Sequence, residues 1–295
     1  MTVREAFMRA SSFLGERGVS EAPASSELLL QHVLGITRTR LLAVWSDPMD
    51  EDAFEKLWAM LQRRAAGEPV QYIMGETYFY GRRFAVDRSV LIPRPETELL
   101  AERVLQLGDE LWGKDGAPRL VDVGTGSGAI AVTLAAERAA WRVAASDISP
   151  AALETARRNA AAHGASLDWL LGDLLEPAAQ VYGGSDGADG GAGIDAVVSN
   201  PPYIRSSDMA GLQVEVREFE PHLALDGGED GLDPYRRLLA QMEAFGVRPR
   251  LVGFECGLGQ ARELAKLMRE QGMWTDVSIV EDYAGIERHV LAVRK

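Results

Sequence analysis

From Arg119 to its C-terminal end the chain alternates short apolar runs with stretches of helix length, and that alternation admits few architectures. Leu120-Val121-Asp122-Val123, Arg142 to Asp147, Asp168 to Asp173 and Asp195 to Ser199 read as four strands. A helix opens after the first of them at Ala129, and another after the second at Ser149-Pro150, which stops at Gly164. A helix from Pro234 to about Phe245, a strand over Leu251-Val252-Gly253-Phe254 and a helix from Gln260 to Gln271 continue the pattern. Two closing strands, Asp276 to Val280 and Arg288 to Val293, end it. Strands separated by helices imply a parallel sheet covered on both faces, so the class is α/β with a Rossmann-like sheet. Such sheets bind ligands beyond the carboxyl ends of their strands. The residues that follow each strand are therefore the ones to read for chemistry.

After the first strand comes Gly124-Thr125-Gly126-Ser127-Gly128, where glycines let backbone approach a ligand and helix-start N–H groups face it. The last interval is shorter than in the dinucleotide fingerprint, so the turn alone says little. Asp147 ends the second strand about twenty residues on, where a carboxylate can accept both hydroxyls of a ribose. Ser149 already suits the capping role that Asp147 would otherwise fill. Asp173 closes the third strand and is placed to meet an adenine amino group, with Leu174 beside it to cover the ring.

The fourth strand runs into Asn200-Pro201-Pro202-Tyr203. Each proline fixes its own φ and holds the preceding residue extended, so the Asn200 side chain and the carbonyl after it are aimed. Two fixed acceptors can take both hydrogens of a planar –NH₂ group. Such a nitrogen is a poor nucleophile until its lone pair localises, and hydrogen bonds that favour a tetrahedral nitrogen act on the transition state. Tyr203 adds an aromatic face. Asn-Pro-Pro alone would also make an ordinary proline turn; its convergence with the glycine turn, Asp147 and Asp173 favours the chemical reading.

Ahead of this sheet, residues 1–75 read as a small helical bundle. Val3, Ala6, Phe7, Ala10, Phe13 and Leu14 recur at helix spacing, and similar segments stop at Gly35, near Pro48 and at Gly67. Residues 76–95 form a hairpin and a proline-bearing linker: Tyr78-Phe79-Tyr80 and Phe84-Ala85-Val86 flank Gly81-Arg82-Arg83, and Pro93-Arg94-Pro95 leads into a helix that Glu96 and Glu98 favour at its start. Residues 96–295 are then the catalytic domain. Residues 183–193 are almost all Gly, Ala, Ser and Asp, a flexible insert, and residues 204–233 lack periodicity over a length that is usually functional.

Glycine turn, ribose carboxylate and Asn-Pro-Pro-Tyr corner together resemble the S-adenosylmethionine-dependent amino methyltransferases. Glu68-Pro69-Val70-Gln71-Tyr72-Ile73-Met74-Gly75, Phe79-Tyr80-Gly81 and Val90 to Glu98 narrow this, as do Phe219-Glu220-Pro221, Gly227 to Leu232 and Asp282 to Arg288. With these blocks the chain resembles the release factor glutamine methyltransferases, the PrmC/HemK family, over both domains. The resemblance implies a class I methyltransferase sheet and S-adenosyl-L-methionine as cofactor. It implies transfer to the side-chain amide nitrogen of the glutamine in the Gly-Gly-Gln loop of peptide chain release factors. Asn200, Pro201 and Tyr203 would be catalytic, with Pro202 joining them around the glutamine. Gly124, Thr125, Gly126, Ser127, Gly128, Asp147, Asp173, Leu174 and Asn200 would hold the cofactor, and the helical domain would recognise the factor. Leu174 stands where some relatives carry an aromatic residue.

Composition tests the rivals. A net charge of -13 and the lack of a basic, aromatic-lined module weigh against an adenine N6-methyltransferase acting on nucleic acid, and no direct nucleic-acid binding is expected. The intact Asn200, Asp147 and glycine turn weigh against a non-catalytic module that binds translation factors. One cysteine, Cys256, allows no internal disulfide and reads as a buried strand-end thiol; with no apolar run long enough to span a bilayer, the cytoplasm is the expected compartment. His32, His163, His222 and His289 lie outside the motifs, and no metal-ligand spacing occurs.

Overall fold

A computed structural model describes residues 1–183 and 193–295, so the glycine-rich insert lies, but for its two ends, outside the described residues. In chain order the elements begin with helices α1 (Val3–Gly15), α2 (Ala22–Leu34), α3 (Arg38–Ala43), α4 (Glu51–Ala65) and α5 (Val70–Met74). The hairpin β1 (Glu76–Phe79) and β2 (Arg82–Ala85) precedes α6 (Pro95–Trp112), β3 (Arg119–Val123), α7 (Ala129–Glu137) and β4 (Arg142–Asp147). Then come α8 (Pro150–Ala162), β5 (Asp168–Leu171), α9 (Glu176–Tyr182), β6 (Ala196–Ser199) and α10 (Val214–Phe219). The chain closes with α11 (Asp233–Ala244), β7 (Leu251–Glu255), α12 (Ala261–Glu270), β8 (Asp276–Glu281) and β9 (Glu287–Val293).

Two compact units result, and the chain passes between them more than once: Met1–Glu76 and Gln213–Phe219 form the first, Thr77–Leu212 and Glu220–Lys295 the second. The first unit is the bundle. Thr2 and Glu5 close a reciprocal capping box at its start, through bonds of 3.2 and 2.8 Å. Ala6, Ala10 and Leu14 of α1 then bury against Leu29, Leu30, Leu57 and Leu61. α10 joins this unit through Glu215, whose carboxylate lies 2.7 Å from the buried Arg64 guanidinium.

The second unit is a seven-stranded sheet in the order β5-β4-β3-β6-β7-β9-β8, with β9 antiparallel to both neighbours. Alternate residues of each strand feed two cores. Val121, Val123, Val197, Val252 and Phe254 pack with Tyr235, Leu238, Leu264 and Met268 of α11 and α12. Leu120, Val143, Val198 and Leu251 pack with Leu100 and Val104 of α6 and Ile130 and Leu134 of α7. Each fully buried Leu or Val of this kind contributes about 1.5–3 kcal/mol. The strand order reverses between β3 and β6, and the crevice where sheets of this class hold ligands opens there.

The structure departs from the sequence reading in three places. The hairpin turn is Tyr80-Gly81, both at positive φ (51° and 71°), because a two-residue turn of that hand matches strand twist; Arg82 and Arg83 belong to β2. The third strand ends at Leu171, since the chain turns at Gly172, leaving Asp173 two residues beyond it. α5, α9 and α10 are too short, at five to seven residues, to leave a periodic signature.

Candidate active site

A cavity of about 320 Å³ lies across the carboxyl ends of β3, β4, β5 and β6. Gly124, Thr125, Gly126, Ser127, Asp147, Asp173, Leu174, Asn200 and Pro202 all line it, so most of the residues expected to act together meet there. Gly128, Pro201 and Tyr203 are not among its lining residues. Gly128 serves packing: at φ 81° it starts α7, and a Cβ there would come within 3.1 Å of Ala156 Cβ. Gly126, which lines the cavity, has no neighbour within 4 Å of where a Cβ would stand.

Asp147 holds the glycine turn in place. Its Oδ2 accepts from Gly126 N at 2.9 Å and its Oδ1 from Ser149 N at 2.9 Å. Burial pushes its carboxyl above the usual range, against the pull of those backbone bonds. Each oxygen keeps a lone pair for a further donor. Ser149 caps α8 by accepting from Ala152 N, as its position suggests. Beneath the turn, the buried Asp122 accepts from Thr125 Oγ1 at 2.7 Å and from Ala131 N at 3.1 Å, and burial raises it to about 7. Asp173 is ion-paired with Arg237 of α11, which also lines the cavity. The expected adenine acceptor therefore already has a cation beside it. Val90, Leu91, Ile148 and Leu174 supply apolar wall.

The corner after β6 is fixed from several sides. Asn200 Nδ2 donates to Thr97 Oγ1 on α6 at 3.2 Å, which leaves Oδ1 as the end of the amide open to a donor. Thr97 itself is almost fully buried, at 3% exposure. Gln260 Nε2 donates to the Tyr203 carbonyl at 2.9 Å and to that of Asp230 at 3.2 Å. Gly227 comes so close that a Cβ would sit 2.7 Å from Tyr203 Cα. Tyr203 packs its ring against the core beside Gly257, and burial, with the Glu255 carboxylate next, pushes its hydroxyl up to about 12. Arg94, in the proline block, pairs at 2.6 Å with Glu220 of the segment that returns to the cavity. Gln260 and Arg237 carry no motif of their own, and Thr97 and Glu220 stood out only as members of the Val90 to Glu98 and Phe219-Glu220-Pro221 blocks. The signal for Thr97 was only its place in the Pro95-Glu96-Thr97-Glu98 block, without a partner to give it meaning.

The cavity can thus take a ligand with a ribose-like diol near Asp147 and a flat ring between apolar walls, with an amide-type –NH₂ presented to Asn200. These residues fit S-adenosylmethionine by chemistry: backbone at the glycine turn, a carboxylate for hydroxyls, and apolar side chains for a base. Among the described residues no group of His, Cys, Asp and Glu could hold a metal ion, and no helix is long and apolar enough to cross a membrane.

Similarity to known proteins agrees with this geometry. Residues 5–75 match the PrmC N-terminal domain and residues 97–218 the methyltransferase small domain. The release factor glutamine methyltransferase of Bacillus cereus is 40% identical over 292 residues, 99% of each chain. That of Bacillus subtilis is 40% identical over 99% of this chain and 98% of its own, and that of Moorella thermoacetica is 40% identical over 100% and 99%. The N-terminal domain of human METTL16, solved in complex with SAH, aligns with a TM-score of 0.53 at 16% identity, over 97% of this chain and 94% of that one, a likeness of fold. At this level of identity over nearly the whole of each curated sequence, the chain belongs to the release factor glutamine methyltransferases.

Proposed function

We propose that this chain methylates the side-chain amide nitrogen (N5) of the glutamine in the Gly-Gly-Gln loop of peptide chain release factors, using S-adenosylmethionine. The observation that carries the reading is the anchored Asn200, whose amide is turned by Thr97 so that Oδ1 faces away from α6's hydroxyl and can accept. When bound, S-adenosylmethionine supplies a methyl group on a positively charged sulfur that becomes neutral on transfer. The chain's own residues have the remaining tasks. Gly124 to Ser127 and Asp147 would hold the cofactor, with Asp173 and Leu174 at its base and Arg237 paired to Asp173. Asn200 Oδ1 and the Pro201 carbonyl accept the two amide hydrogens, which fixes the nitrogen and favours its tetrahedral form as attack proceeds. Pro202 walls the glutamine, and Tyr203 braces the corner from behind. Such a site works mainly by positioning and by excluding water.

Residues 1–75 are assigned to recognition of the factor's body, since a glutamine side chain is alike in every factor and cannot itself be discriminated. The compartment is the cytoplasm, and the partner is a protein. The likeness to METTL16 bears on fold alone and brings no nucleic-acid substrate with it. The test is Asn200→Ala. Its affinity for S-adenosylmethionine by calorimetry should stay within about twofold, while kcat on a purified release factor falls on the order of 10²- to 10³-fold. Near-normal turnover would remove Asn200 from the mechanism.

A further inference from the structure

Exposed apolar side chains of the second unit gather on one edge of its sheet. Ile148 directly follows β4, Leu171 is the last residue of β5, Leu223 lies in the segment between β6 and α11, Leu258 follows β7 and Tyr283 follows β8. β8 runs parallel to β7, since each is antiparallel to β9, so its carboxyl end lies on the same rim as the catalytic corner. Among the described residues of this unit, the large exposed hydrophobic side chains found elsewhere are Tyr78 in the hairpin, Val181 near the end of α9 and Phe245 after α11. Single apolar side chains scattered over a surface are ordinary, whereas their concentration on one edge marks a contact site.

The rim divides at that corner. The residues assigned to the cofactor follow β3, β4 and β5, and Ile148 lines the cavity with them. Leu223, 73% exposed, lines the same cavity from the segment after β6. Leu258 and Tyr283, 74% and 88% exposed, are not among its lining residues, and their strands stand beyond β6 in the order β6-β7-β9-β8. Neighbouring strands are about 4.8 Å apart, so the ends of β6 and β8 are separated by about 14 Å, within the span of one protein–protein contact.

Each of the three side chains stands on a hydrogen-bonded turn. Gly257 N donates to Gln260 Oε1 at 2.8 Å and Gln260 N to the Gly257 carbonyl at 3.1 Å, with Leu258 between them. The same Gln260 side chain holds the Tyr203 carbonyl, so the Leu258 turn is fastened to the corner. Beside Tyr283, Asp282 Oδ1 accepts from Ala284 N at 2.8 Å and from Ile286 N at 3.0 Å, and Arg288 lies 3.4 Å from its Oδ2. Around Leu223, Ala224 N donates to the Pro221 carbonyl at 2.9 Å and Leu225 N to that of His222 at 3.1 Å. A fixed backbone that holds an apolar side chain in solvent is preorganised, which lowers the entropic cost of binding a partner.

We infer that Leu223, Leu258 and Tyr283 form a docking surface on the sheet unit for the part of a release factor that flanks its Gly-Gly-Gln loop. This rests on the glutamine being presented to Asn200. A protein substrate brings chain on both sides of its reacting residue, and with the cofactor over β3 to β5 the open side of the corner is that of β7 and β8. Leu223 meets the loop at the mouth of the cavity, and Leu258 and Tyr283 meet apolar surface farther along the factor.

Leu258→Ser, Tyr283→Ser and the two combined test this against Phe245→Ser, at the opposite end of the sheet. Binding of a purified release factor is read by surface plasmon resonance. Methylation of the factor, and of a short peptide carrying only its loop, is read by transfer of a labelled methyl group. Each rim variant should weaken factor binding and raise KM for the factor about five- to tenfold, and the pair should do so further. Their kcat and their affinity for S-adenosylmethionine should stay within about twofold of the parent, with an unchanged melting temperature. The peptide should be methylated as by the parent, because it is too short to reach them. Leu223→Ser should raise KM for peptide and factor alike, and Phe245→Ser should change neither. A double rim variant that binds and methylates the factor like the parent would overturn the inference, as would an equal loss on the peptide or in Phe245→Ser. A parent enzyme that binds the factor without methylating it would instead undo the proposed function, and the binding comparison would still decide the docking surface.

Discussion

Thr97 shows how much a catalytic amide depends on a neighbour that does no chemistry. Removing its hydroxyl while keeping its shape, in Thr97→Val, frees Asn200 to flip and leaves its Nδ2 unpartnered. We expect kcat to fall about tenfold with unchanged affinity for S-adenosylmethionine, since one positioning bond is worth about 1–1.5 kcal/mol; steady-state kinetics with calorimetry check both. Asp122 makes a different prediction, about pH. Its carboxyl stands near 7 in the fold against 3.8 for an ordinary aspartate, so between those values the folded chain holds a proton that the unfolded chain has lost. Stability therefore declines as pH rises from about 4 to about 7, by at most about 1.4 kcal/mol per pH unit. Urea unfolding of the wild type at several pH values should show this slope, and Asp122→Asn should flatten it. Asn200, Asp147 and the glycine turn were legible in the sequence because each sits just after a strand, where chemistry and position coincide. Thr97 and Gln260 were not, because their partners Asn200, Tyr203 and Asp230 lie tens of residues away and one sequence without its fold does not pair them; Asp122, whose partners Thr125 and Ala131 are close in sequence, was hidden inside an apolar strand.

At the scale of elements, the strands and long helices could be read because they are buried on a regular period, whereas the segment from Ile204 to Gly231 had no period to read. The structure shows why that segment is nonetheless ordered. Ile204 N donates to the Leu225 carbonyl at 2.9 Å and Gly227 N to the Ile204 carbonyl at 2.8 Å, so its two ends are tied beside the corner that they brace. Gly227 leaves no room for a side chain there. Gly227→Ala should displace Tyr203, lower stability by about 1–3 kcal/mol and reduce kcat more than Asn200-independent cofactor binding. Thermal melts with calorimetry separate the two effects, and a variant as active and as stable as the parent would refute the close fit.

At the scale of the whole molecule, sequence reading gave a boundary near residue 75 but not the return of Gln213–Phe219 to the first unit, because six or seven residues of helix inside a long loop carry no mark of their destination. Arg64 holds that return. Its side chain is 9% exposed and its guanidinium meets Glu215 at 2.7 Å, with Ser25 Oγ and the Glu68 carbonyl as further acceptors. Glu215→Gln should destabilise the first unit by about 1–3 kcal/mol through the buried cation left behind. Denaturant unfolding followed by the fluorescence of Trp45 and Trp58, both in that unit, measures it.

The same return has a temporal meaning during synthesis. A bundle whose helices occupy the first seventy-odd residues would ordinarily be complete while most of the chain was still unmade. Here its last piece is Gln213–Phe219, so Glu215, the carboxylate partner of Arg64, is added only once translation has passed residue 219. By then β3 to β6 and the Asn-Pro-Pro-Tyr corner have already been made. The part of the chain made first is thus among the later ones to be finished, and a ribosome that stalls before that point releases neither unit whole.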